Sequence, residues 1–201
     1  MGSNRVLRIG YTSYALWLLL TLGAGSAFAQ GAQPGEQSSK AGSPEFAVRG
    51  QREAREIKYG DWRKVCFRTS GTGAVCRTTI SGTWQTGQSA VRVDLIEKEG
   101  ENAARLQMFL PVGLYLQAGV KISIDHGSAY HIPYVWCLTN TCIAADRAEA
   151  DLIKEMEAGQ RLLLEVVDSS VLAVHTSLPV SQFAAVRRGP ASQTFNQAID
   201  E

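Results

Sequence analysis

An excess of charge of either sign is missing from this chain, in which 20 Lys and Arg face 19 Asp and Glu for a formal charge of +1. Phosphate binding normally needs a strongly basic face, so a nucleic-acid partner is not expected. Histidine is also scarce, with only His126, His131 and His175 available for proton transfer or metal binding. No Ser stands in a G-x-S-x-G elbow. His175, near Ser177, lies in a strand-like run where nothing supplies an oxyanion site. No Gly-Lys-Ser/Thr follows Gly71, Gly73, Gly82 or Gly87, which therefore read as turn glycines and not as a phosphate loop. After residue 22 no apolar run approaches the roughly 20 residues of a membrane span. These absences point away from an enzyme and from a bound cofactor.

The N-terminal segment has the three regions of a secretory signal. Arg5 and Arg8 give the positive start, residues 14–22 the apolar run, and Ala27-Phe28-Ala29 a small-x-small cleavage site. Cleavage there removes two cations and leaves the exported chain near a charge of minus one, with no transmembrane span. Residues 30–49 are rich in Gly, Ser, Gln, Ala and Pro, with Phe46 and Val48 the larger apolar side chains, and read as a flexible tether. Residues 50–188 have the size of one ordinary domain. Beyond Gly189-Pro190 the rise in Ser, Gln and Asn suggests a frayed tail over 189–201.

Cys66, Cys76, Cys137 and Cys142 all lie in the exported part, where thiols are oxidised. Of the three possible connectivities, the local one is preferred on geometry. Each of the pairs Cys66/Cys76 and Cys137/Cys142 is set symmetrically about a turn, so an antiparallel hairpin brings its sulfurs opposite each other. A redox role fits less well, because reactive pairs usually sit as C-x-x-C at a helix start.

The rest of the chain reads mostly as strand. Residues 62–69 and 74–81 flank a Gly-rich turn and form a hairpin. Val91, Val93 and Leu95 alternate with Arg92, Asp94 and Ile96, a strand with one side partly wet. Residues 103–110 make another strand. Val120-Lys121-Ile122-Ser123-Ile124-Asp125 alternates most cleanly and must be half-buried. Pro133 interrupts the run that leads to Cys137 and implies an edge or a bulge. Asp146 with Glu149 fits a capping box for a helix of about three turns carrying Leu152, Ile153 and Met156, with Gly159 as a left-handed stop. Residues 160–167 and 171–178 form a second hairpin, and 181–186 suits either a short helix or a strand. The expected architecture is all-β with one covering helix, an antiparallel β-sandwich or open barrel of about seven to nine strands.

The order of these features resembles the invasion-associated locus B family of exported bacterial proteins. The resemblance rests on Tyr59-Gly60-Asp61-Trp62 before Cys66 and Cys76, on Leu110-Pro111-Val112-Gly113, on Tyr134 with Cys137 and Cys142, on Glu157-Ala158-Gly159, and on the closing 174–183. It covers about residues 57–188. The family implies a small all-β periplasmic or envelope-associated protein, linked in some members to host-cell entry, and offers no catalytic motif to carry over. The connection from Ser81 through Trp84 to Gly87 departs from the family's usual pattern.

Function is expected in contact rather than chemistry: a non-enzymatic protein of the periplasm or outer envelope whose partner is an envelope or host protein. The alternative is a periplasmic carrier of a small ligand or metal, for which Asp125, His126 and His131 are the available ligands although their spacing matches no standard motif. Exposed aromatics are the usual anchors of a partner surface. Trp84, in a polar Gly-flanked turn, and Tyr115 are the candidates, while Tyr130, Ile132, Tyr134 and Trp136 read as one buried strand face.

Overall fold

The computed structural model describes residues 47–69 and 73–197. The signal segment, most of the tether, residues 70–72 of the first hairpin turn and residues 198–201 lie outside the described residues.

Two sheets form the fold. The larger is built from β2 (Ile57–Tyr59), β3 (Arg63–Thr69), β4 (Val75–Trp84), β5 (Ser89–Lys98), β6 (Ala104–Leu110), β9 (Tyr134–Cys137), β10 (Cys142–Ala148) and β13 (Gln193–Gln197). Its order is β13-β3-β4-β5-β6-β10-β9, with β2 pairing to β4 off that path. The smaller sheet has the order β1-β12-β11-β7-β8, made by β1 (Gly50–Glu53), β7 (Val120–Ile124), β8 (Tyr130–Ile132), β11 (Arg161–Val167) and β12 (Leu172–Pro179). The helices are α1 (Ala150–Ala158) and α2 (Phe183–Arg188). The result is a sandwich-like pair of sheets and not a closed barrel.

Alternation explains why the sheets face each other. Val91, Val93 and Leu95 of β5 and Leu106 and Met108 of β6 point inward and are buried. They meet Val120, Ile122 and Ile124 of β7 and Leu162, Leu164 and Val166 of β11 in one core. Each such side chain contributes about 1.5 to 3 kcal/mol by leaving water. Trp62 ties the sheets at one end. Its indole Nε1 donates to the Pro179 carbonyl at 2.7 Å, and its ring meets Phe183 edge-on with centroids 5.0 Å apart. Leu152 and Met156 of α1 close the core.

Several expectations need correction. There are thirteen strands among the described residues, because the 129–148 region divides into β8, β9 and β10, Ile57–Tyr59 forms β2, and β1 and β13 are added at either end of the described residues. The tail does not fray at Gly189: β13 pairs in parallel with β3, Gln193 opposite Val65 and Phe195 opposite Phe67. β1 likewise pairs in parallel with β12. The helix starts at Ala150 with Glu149 as its N-cap and no side-chain capping bond, so the Asp146 capping box does not form. Cys142 to Ala148 instead pair residue for residue with Leu110 to Ala104, and that long-range ladder outweighs the local capping signal. Gly159 is not left-handed, with φ −85° and ψ 176°. Glycine is needed there for space, since a Cβ would collide with the Ile124 side chain. The undecided segment 181–186 leads into a helix, α2, which begins at Phe183 and runs on to Arg188. The outer side of β5 is drier than expected, for Asp94 is only 1% exposed.

Candidate functional site

The turn after β9 is closed by a disulfide. The structure joins Cys137 to Cys142 and Cys66 to Cys76, each pair directly opposite across an antiparallel ladder with Cα atoms 4.0 Å apart. No free cysteine remains among the described residues. Cys142 leads into a strand and not a helix, so no helix terminus is placed to activate a thiol here.

β9 is the outermost strand of the larger sheet, paired on one side to β10 only. The register shifts between Ile143 and Ala144, and Ala145 N–H donates to the Pro133 carbonyl at 3.0 Å, so the proline sits at an irregularity. This breaks the expected common buried face. Ile132 is buried and Tyr130 and Tyr134 are partly buried, but Trp136 is 64% exposed. Val135 and Leu138 are exposed beside it. Leu138 N–H donates to Thr141 O at 2.7 Å and Thr141 Oγ1 to Leu110 O at 3.0 Å, which fixes the turn that carries these side chains.

The two residues predicted as a partner surface are less open. Trp84 is half-buried and lines a cleft of about 790 Å³ at one end of the sandwich. Apolar Ile57, Leu114, Leu164 and Val174 form part of its wall, with Arg52 and Arg55 among its polar residues. Arg52 is occupied by Asp168, its Nε and Nη2 donating to Oδ2 at 3.1 and 3.0 Å. Tyr115 is also half-buried, and its N–H donates to Val167 O at 2.8 Å. The structure does not bring Trp84 and Tyr115 into one exposed patch.

The histidine and carboxylate triplet does not assemble into a metal site. Asp125, at φ 49°, accepts the Gln160 and Arg161 N–H groups at 3.0 Å each, which uses its carboxylate to hold the start of β11. His131 Nε2 lies 2.9 Å from the Ala118 carbonyl, and His126 is exposed on the turn. Among the described residues no group of three or more His, Cys, Asp or Glu is placed to hold a metal ion.

Acid–base chemistry at the tyrosines is equally restrained. Burial holds the Tyr134 phenol well above its ordinary value. Burial also raises Tyr59, against a hydrogen bond with Thr176 at 3.1 Å that pulls it down. Both stay protonated at neutral pH.

Sequence reasoning missed one cluster. Thr79 Oγ1 donates to Asp94 Oδ1 at 2.5 Å, while the Arg92 and Arg77 side chains reach Asp94 Oδ2 at 3.2 and 3.7 Å. The Arg92 guanidinium also lies 3.6 Å over the Phe109 ring. The pairing of β4 with β5 sets Thr79 opposite Asp94, and that of β5 with β6 sets Arg92 opposite Phe109, which joins these residues.

Comparison with known proteins agrees with this architecture. The family model described as invasion associated locus B (IalB) protein matches residues 62–190. Two invasion protein B homologues, from Brucella abortus strain 2308 and Brucella abortus biovar 1 strain 9-941, are each 24% identical over 123 residues, 61% of this chain and 68% of theirs. The crystal structure of invasion associated protein B from Bartonella henselae shares the fold, with a TM-score of 0.57 at 17% identity over 65% of this chain and 91% of that one. With more than half of its length matched by that family model, the chain belongs to the invasion-associated locus B family.

Proposed function

We propose that this protein is exported to the bacterial envelope and acts there by binding another protein, without catalysis. The observation that carries the reading is the β9 edge. Val135 and Trp136 are exposed on opposite faces of an outermost strand, and Leu138 is exposed on the turn that the Cys137–Cys142 bridge closes. A rigid edge strand with a large aromatic is suited to strand addition or to an aromatic anchor. The two disulfides support an oxidising compartment. No helix among the described residues is long and apolar enough to cross a membrane. The names of the relatives suggest that the contact serves host-cell invasion, or otherwise an envelope function.

A photo-crosslinking residue placed at Val135 in living cells tests this directly. An envelope or host protein joined at that position, and lost when Leu138→Asp is added, is the expected result. Recovery of no partner across repeated trials, or turnover on hydrolase or oxidoreductase substrate panels, counts against the proposal.

The cleft at the end of the sandwich favours a second reading, that of a small-ligand carrier. Its apolar wall and half-buried Trp84 are what such a site needs. Native mass spectrometry separates the two readings, since a carrier purified from its own cells shows an added mass that Trp84→Ala removes.

A further inference from the structure

The outer face of the larger sheet carries a group of arginines. Residues paired across a sheet share a face, so the registers define rows of side chains. One row runs Val65, Arg77, Ile96, Arg105, Arg147 from β3 to β10. The next runs Arg63, Thr79, Asp94, Gln107, Ala145, and the third carries Ser81, Arg92, Phe109 and Ile143. Five arginines, Arg63, Arg77, Arg92, Arg105 and Arg147, therefore stand on three adjacent rows whose only carboxylate is Asp94. Asp94 is buried and already shared by Arg77 and Arg92. Arg63, Arg105 and Arg147 are exposed and have no acidic side chain within ion-pair distance among the described residues. A chain with almost no overall charge thus sets five of its 20 Lys and Arg on one face beside a single carboxylate.

We infer that this face binds an anionic polysaccharide, one bearing sulfate or uronate groups along its length. Strands lie about 4.8 Å apart, so neighbouring cations are about 5 to 10 Å from one another, a spread suited to a polymer with repeated charges. Guanidinium forks match sulfate and carboxylate oxygens in bidentate geometry. The shape of the face argues against a lipid surface. Each strand turns by about 20 to 25° relative to the next, so a flat membrane cannot meet β3 and β10 together, whereas a flexible linear polymer can follow the twist. The rings argue against nucleic acid. Single strands stack successive bases on a series of aromatic platforms, but here Phe109 lies under Arg92 and Phe67 stacks on Phe195 at 5.4 Å, which leaves Trp136, opposite Ile143 at the end of the third row, as the one open ring on these three rows. The third row continues into β9, where Trp136 lies opposite Ile143, so this face adjoins the β9 contact, but the inference rests on the arginines and not on Trp136, Val135 or Leu138.

The test is titration of the full exported chain with heparin, as the sulfated probe, and with alginate, as the uronate probe, over a range of salt concentrations. Binding to at least one is expected, and Arg105→Ala/Arg147→Ala should weaken it by about tenfold or more while lowering the slope of log affinity against log salt by about two. The pair Lys121→Ala/Lys154→Ala, whose exposed cations lie on the smaller sheet and on α1, should leave affinity within about twofold. Failure to bind either polymer overturns the inference. So does an equal loss in both pairs, or binding of duplex DNA or of anionic phospholipid vesicles as tightly through Arg105 and Arg147. Circular dichroism of each variant separates lost binding from lost fold.

Discussion

The two sheets present opposite solutions on their outer faces. The smaller sheet mixes charge: one row sets His131, Lys121, Glu165, His175 and Glu53 side by side, with Glu165 Oε2 4.0 Å from Lys121 Nζ and 3.5 Å from His175 Nδ1. The larger sheet segregates it, with arginines around one buried acid. Both disulfides also lie on the larger sheet, at its two sides. The smaller sheet has no disulfide among the described residues and is held by packing, ladders and polar contacts such as Arg52–Asp168. One layer thus pairs its charges across the row and the other leaves cations over, and the inferred polysaccharide contact rests on that contrast.

Substitutions should break this contrast unequally. Asp94→Ala removes the acid between two half-buried guanidinium groups and should cost about 3 kcal/mol in urea unfolding, the range for leaving a buried charge uncompensated. Replacing Cys66 and Cys76 by Ser should cost between about 2 and 3 kcal/mol, and replacing Cys137 and Cys142 about 2, since the first loop is longer. Amide exchange should then accelerate at the edges of the larger sheet and stay unchanged in β7 and β11. A uniform acceleration would show that the bridges serve the whole domain.

Acid gives a finer probe. Glu157 of α1 joins both arginines of α2, accepting from Arg187 and Arg188. The Arg188 hydrogen bond is the largest influence holding its carboxyl below the ordinary range, with Arg187 acting in the same sense and burial opposing. Because the folded value is depressed, this contribution is complete above the unfolded glutamate value near 4.5 and disappears as pH falls through the lower folded one. Thermal unfolding scans should show Tm falling more steeply below that point in the native chain than in Glu157→Gln. The smallest effect is expected on the mixed-charge face, where Glu165→Ala should cost under about 1 kcal/mol. A loss there as large as that of Asp94→Ala would erase the distinction between the two faces.

The parts of this fold written in local pattern were legible from the sequence. The alternation of 120–125 gives β7, the Asp168-Ser169-Ser170 break gives the β11/β12 hairpin, and symmetric spacing about turns gives the cysteine pairs. What failed depended on partners far along the chain. Gly-Gln-Arg-Glu and Gln-Thr-Phe-Asn-Gln are poor strands by composition and become β1 and β13 because existing edges offer them backbone groups. Trp136 sits at an even position with Ile132, yet the irregularity at Pro133 turns it outward. The arginine rows were the least legible, since residues 63, 77, 92, 105 and 147 share a face only once five strands are in register.

The parallel strand β13 has a consequence for shortening the chain. Gln193 to Gln197 cover the backbone edge of β3, and Phe195 shields Phe67. A chain ended at Gly189, where composition alone would place a harmless trim, uncovers a seven-residue strand with apolar Val65 and Phe67 along it. Such an edge is a template for self-association. The last strand therefore works as a guard against the molecule's own copies, and its loss should be read in light scattering before it is read in any binding assay.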